Sequence, residues 1–448
     1  MKKIVLSTIT ALTVGTASAN AAAFTLYEDA NGQVFTKPGV GRTELVITTD
    51  MVTNKVQKEE TYTTPQTVKL SKEDKAEIKQ ELLAEVKKAT KDTPLFSHAD
   101  KLKFSALAYL GYRYDDYKSG KTSKGTDYRN DRSAFEIRRA YFQVKAYLLD
   151  DPKSYYRVTF DATKDDTGDE KIRMKYGYLY LDNVLPSTGL ELGLVHRPWH
   201  DYEEHNAWYF RNISKVLIEA KNGADLSNSA DFGFNLKTNT KYFASEIGLF
   251  NGEGYHSAEN DDNNDDSSDG MSLEWRTTAH LMGVSGKDKQ TTKTYLDASF
   301  FGQYNMDHKS DTAAPGGYDD LIFLGLHTVY NQPNFLISAQ YIYSVDTADN
   351  SSYVSAQAGE GYSVNSEFRF GGEKEYRVLG RYDVWTKDYL DTDSRDEKDQ
   401  IAYIAGLAWE QNKNVQWVAN VTVTDNEDGS NREEYNGNAY MLTAEVEF

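Results

Sequence analysis

Hydrophobic and polar residues alternate with a period of two along most of the chain after Lys101. The C-terminal segment shows the pattern most plainly. Tyr440, Leu442, Ala444, Val446 and Phe448 share one face, and Met441, Thr443, Glu445 and Glu447 share the other. Comparable segments recur at Phe104–Tyr114, Phe135–Leu149, Tyr155–Thr163, Ile172–Tyr180, Leu190–Arg197, Phe232–Lys237, Tyr242–Phe250 and Leu273–Leu281. They continue at Tyr295–Tyr304, Leu321–Tyr330, Phe335–Tyr343, Tyr362–Phe370, Tyr376–Trp385, Ile401–Trp409 and Val415–Val423. This predicts about sixteen strands, most of about nine to eleven residues, an even count and a length that cross a bilayer when tilted. The connections alternate short (150–153, 331–333, 371–374, 411–413) and long (115–133, 198–229, 251–270, 306–318, 346–358, 387–400, 425–437). Tight turns at one rim opposite longer loops at the other are the asymmetry of a transmembrane barrel. A soluble β-sandwich has no reason to sort its loops by parity. The expected fold is therefore an all-β, about 16-stranded antiparallel transmembrane β-barrel over residues 102–448. Its weakest segments are Phe232–Lys237, which is short, and Leu321–Tyr330, which is apolar on both faces.

The N-terminal region follows other rules. Residues 1–23 read as a secretory signal peptide: Lys2 and Lys3, an apolar run from Ile4 to Val14, then small residues with A-x-A cleavage sites. Residues 24–101 form an expected small periplasmic extension. Asn31-Gly32 suits a two-residue hairpin turn. Ser71 can cap a helix near 71–91, with Glu73 in its first turn. On that helix Ile78, Leu82 and Val86 make one narrow stripe, which fits either a short coiled coil between subunits or a solvated helix. No window holds the ~20 apolar residues of a membrane helix.

Composition sharpens the picture in three places. A net charge of −19 argues against nucleic acid as a partner. Aromatics at 13%, including 32 Tyr, argue against disorder, and many tyrosines sit near strand ends as a membrane girdle would. The absence of cysteine excludes disulfides and thiolate metal sites.

Assigning faces by alternation identifies candidate pore-lining residues. Ala140, Phe142, Val144, Tyr156, Val158, Phe160, Tyr176, Leu190, Leu192 and Leu194 are expected to face lipid. Arg139, Lys145, Arg157, Arg173, Lys175 and Arg197 then face the lumen, making the early wall basic. The later wall is mixed, with Arg276, Arg369, Arg377 and Arg381 beside Glu274, Asp297, Glu367 and Asp383. Such ladders set ion selectivity in pores. The 198–229 connection is too apolar and aromatic for a loop in solvent, and folding into the barrel would bury it. Asp201, Glu203, Glu204, Arg211 and Lys215 are its candidate constriction residues.

At this point two stretches carry a resemblance. Glu136-Ile137-Arg138-Arg139-Ala140-Tyr141-Phe142 resembles the paired-arginine strand of the phosphate-selective porin O and P family. Leu190 to Pro198, followed by an acidic, aromatic loop, is similar to that family's entry into its third loop. The resemblance implies a trimeric, water-filled channel of sixteen strands in the bacterial outer membrane, in contact with lipid and lipopolysaccharide. Phosphate specificity does not carry over, because the later lumen is as acidic as it is basic and no matching lysine cluster is present.

Other chemistry is poorly supported. His196, His200 and His205 share one stretch, but their spacing suits zinc only on a helix. Asp261 to Asp269 begins like a calcium loop yet lacks Gly at its sixth position and Glu at its twelfth, leaving at most loose divalent binding. No cofactor is expected. No G-x-S-x-G, H-E-x-x-H or phosphate-cradling glycine motif points to an enzyme. Two readings remain: a porin passing small hydrophilic solutes and ions, with a preference for anions such as phosphate, or a structural or surface-interaction barrel with a plugged lumen.

Overall fold

The computed structural model describes residues 101–448 except 118–119, 122–126, 129–131, 148–150, 165–167, 253, 256–269, 286–289, 312–316, 347–357, 392–393 and 428–435, together with three short earlier strands. Those strands, β1 (Leu26–Asp29), β2 (Val34–Phe35) and β3 (Arg42–Leu45), form an antiparallel sheet in the order β2-β1-β3. Tyr27 pairs with Phe35 and Glu28 with Val34, whereas a two-residue turn at Asn31-Gly32 would pair Glu28 with Phe35; residues 30–33 lie outside the described residues. The signal segment 1–23, the helix near 71–91 and the acidic stretch 261–269 lie outside the described residues.

The remaining strands are β4 (Leu102–Tyr117), β5 (Gly120–Lys121), β6 (Asp127–Tyr128), β7 (Arg132–Ala146), β8 (Tyr155–Lys164), β9 (Glu170–Leu185), β10 (Thr188–His196), β11 (Ala230–Asn239) and β12 (Phe243–Phe250). They continue with β13 (Ser272–Met282), β14 (Tyr295–Asp311), β15 (Gly317–Gln332), β16 (Phe335–Asp346), β17 (Gly359–Phe370), β18 (Tyr376–Asp391), β19 (Ser394–Asn412), β20 (Val415–Asn426) and β21 (Gly437–Glu447). All but the small β5–β6 hairpin belong to one closed antiparallel barrel of sixteen strands. The C-terminal strand closes the ring, with Tyr440 opposite Tyr114 and Val446 opposite Ala108 on β4. Closure leaves no sheet edge, so the wall satisfies its own backbone donors and acceptors.

Each sequence segment falls within one barrel strand, with adjusted limits. The short Phe232–Lys237 segment extends to Ala230–Asn239. Two connections expected to be long, 306–318 and 387–400, are largely strand, because β14 pairs with β15 out to Asp311 and β18 with β19 out to Asp391. The outward face is apolar, with Phe142 46%, Leu192 52% and Leu407 61% exposed.

Among several register shifts around the barrel, two bulges fall on the basic wall and break its alternation. Tyr109 opposes Arg139 while Leu110 opposes Ile137, so Arg138 is an extra residue on β7. Thr159 opposes Tyr176 while Phe160 opposes Met174, so Lys175 is an extra residue on β9. An extra residue shifts the phase of the pleat by one position. Tyr176, expected to face lipid, consequently points inward and is 8% exposed. Leu194 is also corrected. It is 3% exposed and belongs to a buried cluster with Tyr176 and Tyr178. It follows Gly193, whose φ of 129° a side-chain-bearing residue rarely adopts, and after which Val195 and His196 are buried as well.

Candidate functional site: the lumen and its inserted loop

The connection between β10 and β11 folds inside the barrel. It opens with a short helix, α1 (His200–Asn206), and continues through turns to Ser229. Its apolar side chains Trp199, Tyr202, Trp208, Phe210, Ile213, Val216, Leu217, Ile218 and Leu226 are all buried. They form one cluster with Phe301, Leu321, Phe323, Ile342, Leu379, Ile404, Val418 and Met441 of the inner wall. This explains the doubly apolar Leu321–Tyr330 segment. Leu324 and Leu326 face outward, whereas Leu321 and Phe323 face inward against the loop. Trp199 stacks on Phe301 with ring centroids 3.7 Å apart and planes at 4°. The Phe301 ring lies over Gly325, where any Cβ would collide with it.

Polar contacts tie the loop to strands on several sides of the ring. Arg276 Nε donates to Pro198 O (3.0 Å), Tyr202 Oη to Asp297 (2.8 Å), and Tyr295 Oη to Asn206 O (2.8 Å). Farther round, Arg381 donates to Lys215 O (2.9 Å), Asn212 Nδ2 to Thr443 Oγ1 (3.3 Å), and Arg138 to Ile213 O (3.5 Å). The loop begins and ends at one place: Arg197 N–H donates to Ser229 O at 3.2 Å.

The sequence candidates separate into groups. Arg139 pairs with the fully buried Asp161 at 2.5 Å. Arg157 donates to Thr159 Oγ1 (3.0 Å) and Tyr178 Oη (3.2 Å), lies 3.2 Å from His196 Nε2, and stacks over Tyr176 at 4.7 Å. Arg173 donates to Thr163 Oγ1 (3.1 Å). Lys145 sits over the Tyr155 ring at 4.5 Å, and Lys175 over Tyr141 at 4.8 Å. Two of the six are buried, Lys175 at 3% and Arg197 at 2% exposed, so neither lines an open wall. Arg197 pairs with Asp231 at 2.7 Å and Glu274 at 3.4 Å, and donates to Gly252 O at 3.1 Å. It is an anchor at the root of the loop and does not stand on an open wall. The cause is its position at the strand end, where the loop folds back over it.

The loop candidates also divide. Glu203 is 1% exposed, accepting from Trp199 Nε1 (2.8 Å) and Gln340 Nε2 (2.5 Å). Burial pushes its carboxyl up to about 8, so the neutral acid is favoured at pH 7. Glu203 therefore supports packing and presents no charge to water. Asp201 lies 3.7 Å from His196 and from Lys237. Glu204 pairs with Arg211, which also reaches Glu219 at 3.3 Å, and Lys215 approaches Glu219 at 3.0 Å. Burial opposes the Glu219 charge, but Arg211 and Lys215 hold its carboxyl well below the usual range. His196 packs against Tyr176 at 4.0 Å, His200 is buried beside Ser227 O at 3.2 Å, and His205 is exposed with Nδ1 at 2.7 Å from Asp201 O; His196 and His205 flank Asp201, and His200 stands apart. Burial pushes His200 down to about 4.

Strict alternation missed Arg138. The bulge turns it inward with Arg139, and it pairs with Glu136 at 2.7 Å. The outward Ile137 and Ala140 are three residues apart where two would be regular, which is the available signal. Arg113, paired with Asp115 at 2.6 Å, was missed as well. On the opposite wall Arg276, Arg369, Arg377 and Arg381 are all buried and ion-paired, with Glu246 (2.7 Å), Glu367 (2.8 Å), Glu410 (2.9 Å) and Asp383 (2.7 Å). Inward residues with greater access to solvent, including Lys103, Arg113, Arg138, Arg139, Tyr141 and Lys145, gather on β4 and β7.

No family model matches the chain, and no curated protein matches it. Solved structures do match. An anion-selective porin from Comamonas acidovorans is 14% identical over 78% of this chain and 99% of that one, with a TM-score of 0.52. OmpF of Salmonella typhi, in complex with daunomycin, is 12% identical over 78% and 97%, with a TM-score of 0.53. OprB of Pseudomonas putida is 8% identical over 79% and 96%, with a TM-score of 0.52. The likeness is one of fold: this chain is built as bacterial outer-membrane porins are.

Proposed function

We propose that the protein is an outer-membrane porin giving passage to small hydrophilic solutes and ions along an eccentric path. The inserted loop packs its apolar side on the β13–β21 wall. The remaining aqueous route then runs beside β4, β7 and β8, narrowed by Asp201, Glu204, Arg211 and Lys215. The observation that carries this reading is the unequal burial of the inward cations: Arg276, Arg369, Arg377 and Arg381 are buried and paired on one side, whereas Lys103, Arg113, Arg138, Arg139, Lys145 and Arg157 on β4, β7 and β8 are half-buried or exposed. An apolar outer face suits lipid, and inward charges keep their water, whereas an Arg on the lipid face at the midplane costs about 2–4 kcal/mol.

The basic side favours anions, phosphate among them, and the loop carboxylates oppose that bias, so net selectivity is modest. Planar-bilayer recordings of purified protein should show discrete current steps. Replacing Arg157 and Arg173 together with Gln should move the reversal potential in a salt gradient toward cations. These two are better targets than Arg139, whose removal would strand the buried Asp161. An unmoved potential in a folded double variant would show that neither governs permeation.

A second reading has its own support. The loop touches β7, β13, β14, β16, β18 and β21, enough of the ring for a plug in a structural barrel. Absence of current steps would favour it. The assembly we propose is a homotrimer, as for the structural neighbour described as a trimer form of OmpT, an outer membrane protein of Vibrio cholerae. Native mass measurement in mild detergent should give three chains per particle, and monomers alone would refute it.

A further inference from the structure

Three cations stand side by side at the short-turn end of the β4–β8 wall. Lys103 on β4 is directly opposite Lys145 on β7, and Lys145 is directly opposite Arg157 on β8. Like charges facing each other across strands destabilise a sheet, so a row of three calls for a compensating interaction. Part of it is aromatic. Lys103 lies over Tyr147 at 5.0 Å, Lys145 over Tyr155 at 4.5 Å, and Arg157 over Tyr176 at 4.7 Å. Rings hold the cations in place without neutralising them. Tyr155 in turn stacks on Tyr180 at 4.9 Å and 27°. Access is graded: Lys103 is exposed, whereas Lys145 and Arg157 are half-buried.

We propose that this row binds small organic di- and tricarboxylates, as a docking site at the short-turn mouth. This deepens the porin reading above and rests on it. Adjacent strands are about 4.8 Å apart, so the three cations span roughly 10 Å. A single phosphate gathers its charge at one point and meets one or two of them. A di- or tricarboxylate carries its charges several bonds apart, so the flexible lysines and Arg157 can reach separate carboxylates of one molecule, and its carbon backbone lies against the tyrosine edges. Arg157, fixed by Thr159, Tyr178 and His196, supplies a planar fork for one carboxylate. The lysines supply mobile point charges for the others.

The test is block of chloride current in planar bilayers. Citrate should reduce the current at concentrations where acetate, at matched carboxylate, and orthophosphate do not. In K103Q/K145Q the half-blocking citrate concentration, referred to that variant's own chloride current, should rise about tenfold. K103R/K145R, which keeps both charges, should retain most of the block. Equal block by acetate or orthophosphate would overturn the proposal, and so would an unchanged citrate response in the folded Gln variant. Calorimetric titration of citrate into detergent-solubilised protein separates this site from the channel reading. If no current steps are seen but citrate binds the unaltered protein and not the Gln variant, the channel reading fails and the site stands. If currents appear without citrate binding, the site fails alone.

Discussion

Excising residues 200–226 and joining the ends with a short Gly-Ser linker should raise single-channel conductance severalfold. The physical case begins with the loop's roots. Arg197 N–H donates to Ser229 O at 3.2 Å, and His200 Nε2 lies 3.2 Å from Ser227 O, so a short linker can close the gap without moving β10 or β11. The barrel's hydrogen-bonded wall does not pass through the excised segment. What changes is the interior. Trp208, Phe210, Val216, Leu217 and Ile218 leave, and inward Phe323, Ile342 and Ile404 lose the surface that covers them. Exposure of that apolar strip to water should lower the folding yield, at about 25 cal/mol per Å² uncovered. Folded channels that conduct no more than the parent would show that the loop does not limit flow.

Arg197→Met should cost about 3–5 kcal/mol, the usual consequence of removing one partner of a buried ion pair. Asp231 is fully buried, and Arg197 is the cation at 2.7 Å from it. Glu274, 3.4 Å away on the other side, would lose the same charge. The expected readout is a lower urea midpoint in detergent, together with faster proteolysis within 198–229. R197M/D231N should recover much of the loss, because the stranded charge is then removed. An unchanged midpoint in R197M would show that the pair is not what roots the loop. By contrast, Arg197 should contribute little to ion selectivity, since it does not face the water path.

The two bulges on the basic wall carry a lesson about register. Period-two alternation located every barrel strand, because each presents an apolar face outward and turns its polar side chains inward. Alternation cannot by itself count residues through a bulge. Arg138 and Lys175 each add one residue, and both lie on the basic wall, where an extra inward cation results. The shift moved Tyr176 from the expected lipid face to the lumen and brought Arg138 in beside Arg139.

The sequence by itself determined the closed antiparallel barrel, its strand count, its terminal closing strand and the basic character of its early inner wall. Those features follow from local alternation, turn chemistry and the solvent on each side. It also marked the 198–229 segment as too apolar to stay in solvent. Only the tertiary structure decided which surface that segment meets, because packing partners a hundred or more residues apart leave no periodic trace. Trp199 finds Phe301, Asn212 finds Thr443, and Glu203 finds Gln340. Burial under the folded loop pushes the Glu203 carboxyl up and makes Arg197 a buried anchor, although both read as lumen charges in the sequence. Charge type is written in the residue, but whether that charge meets water depends on what folds over it.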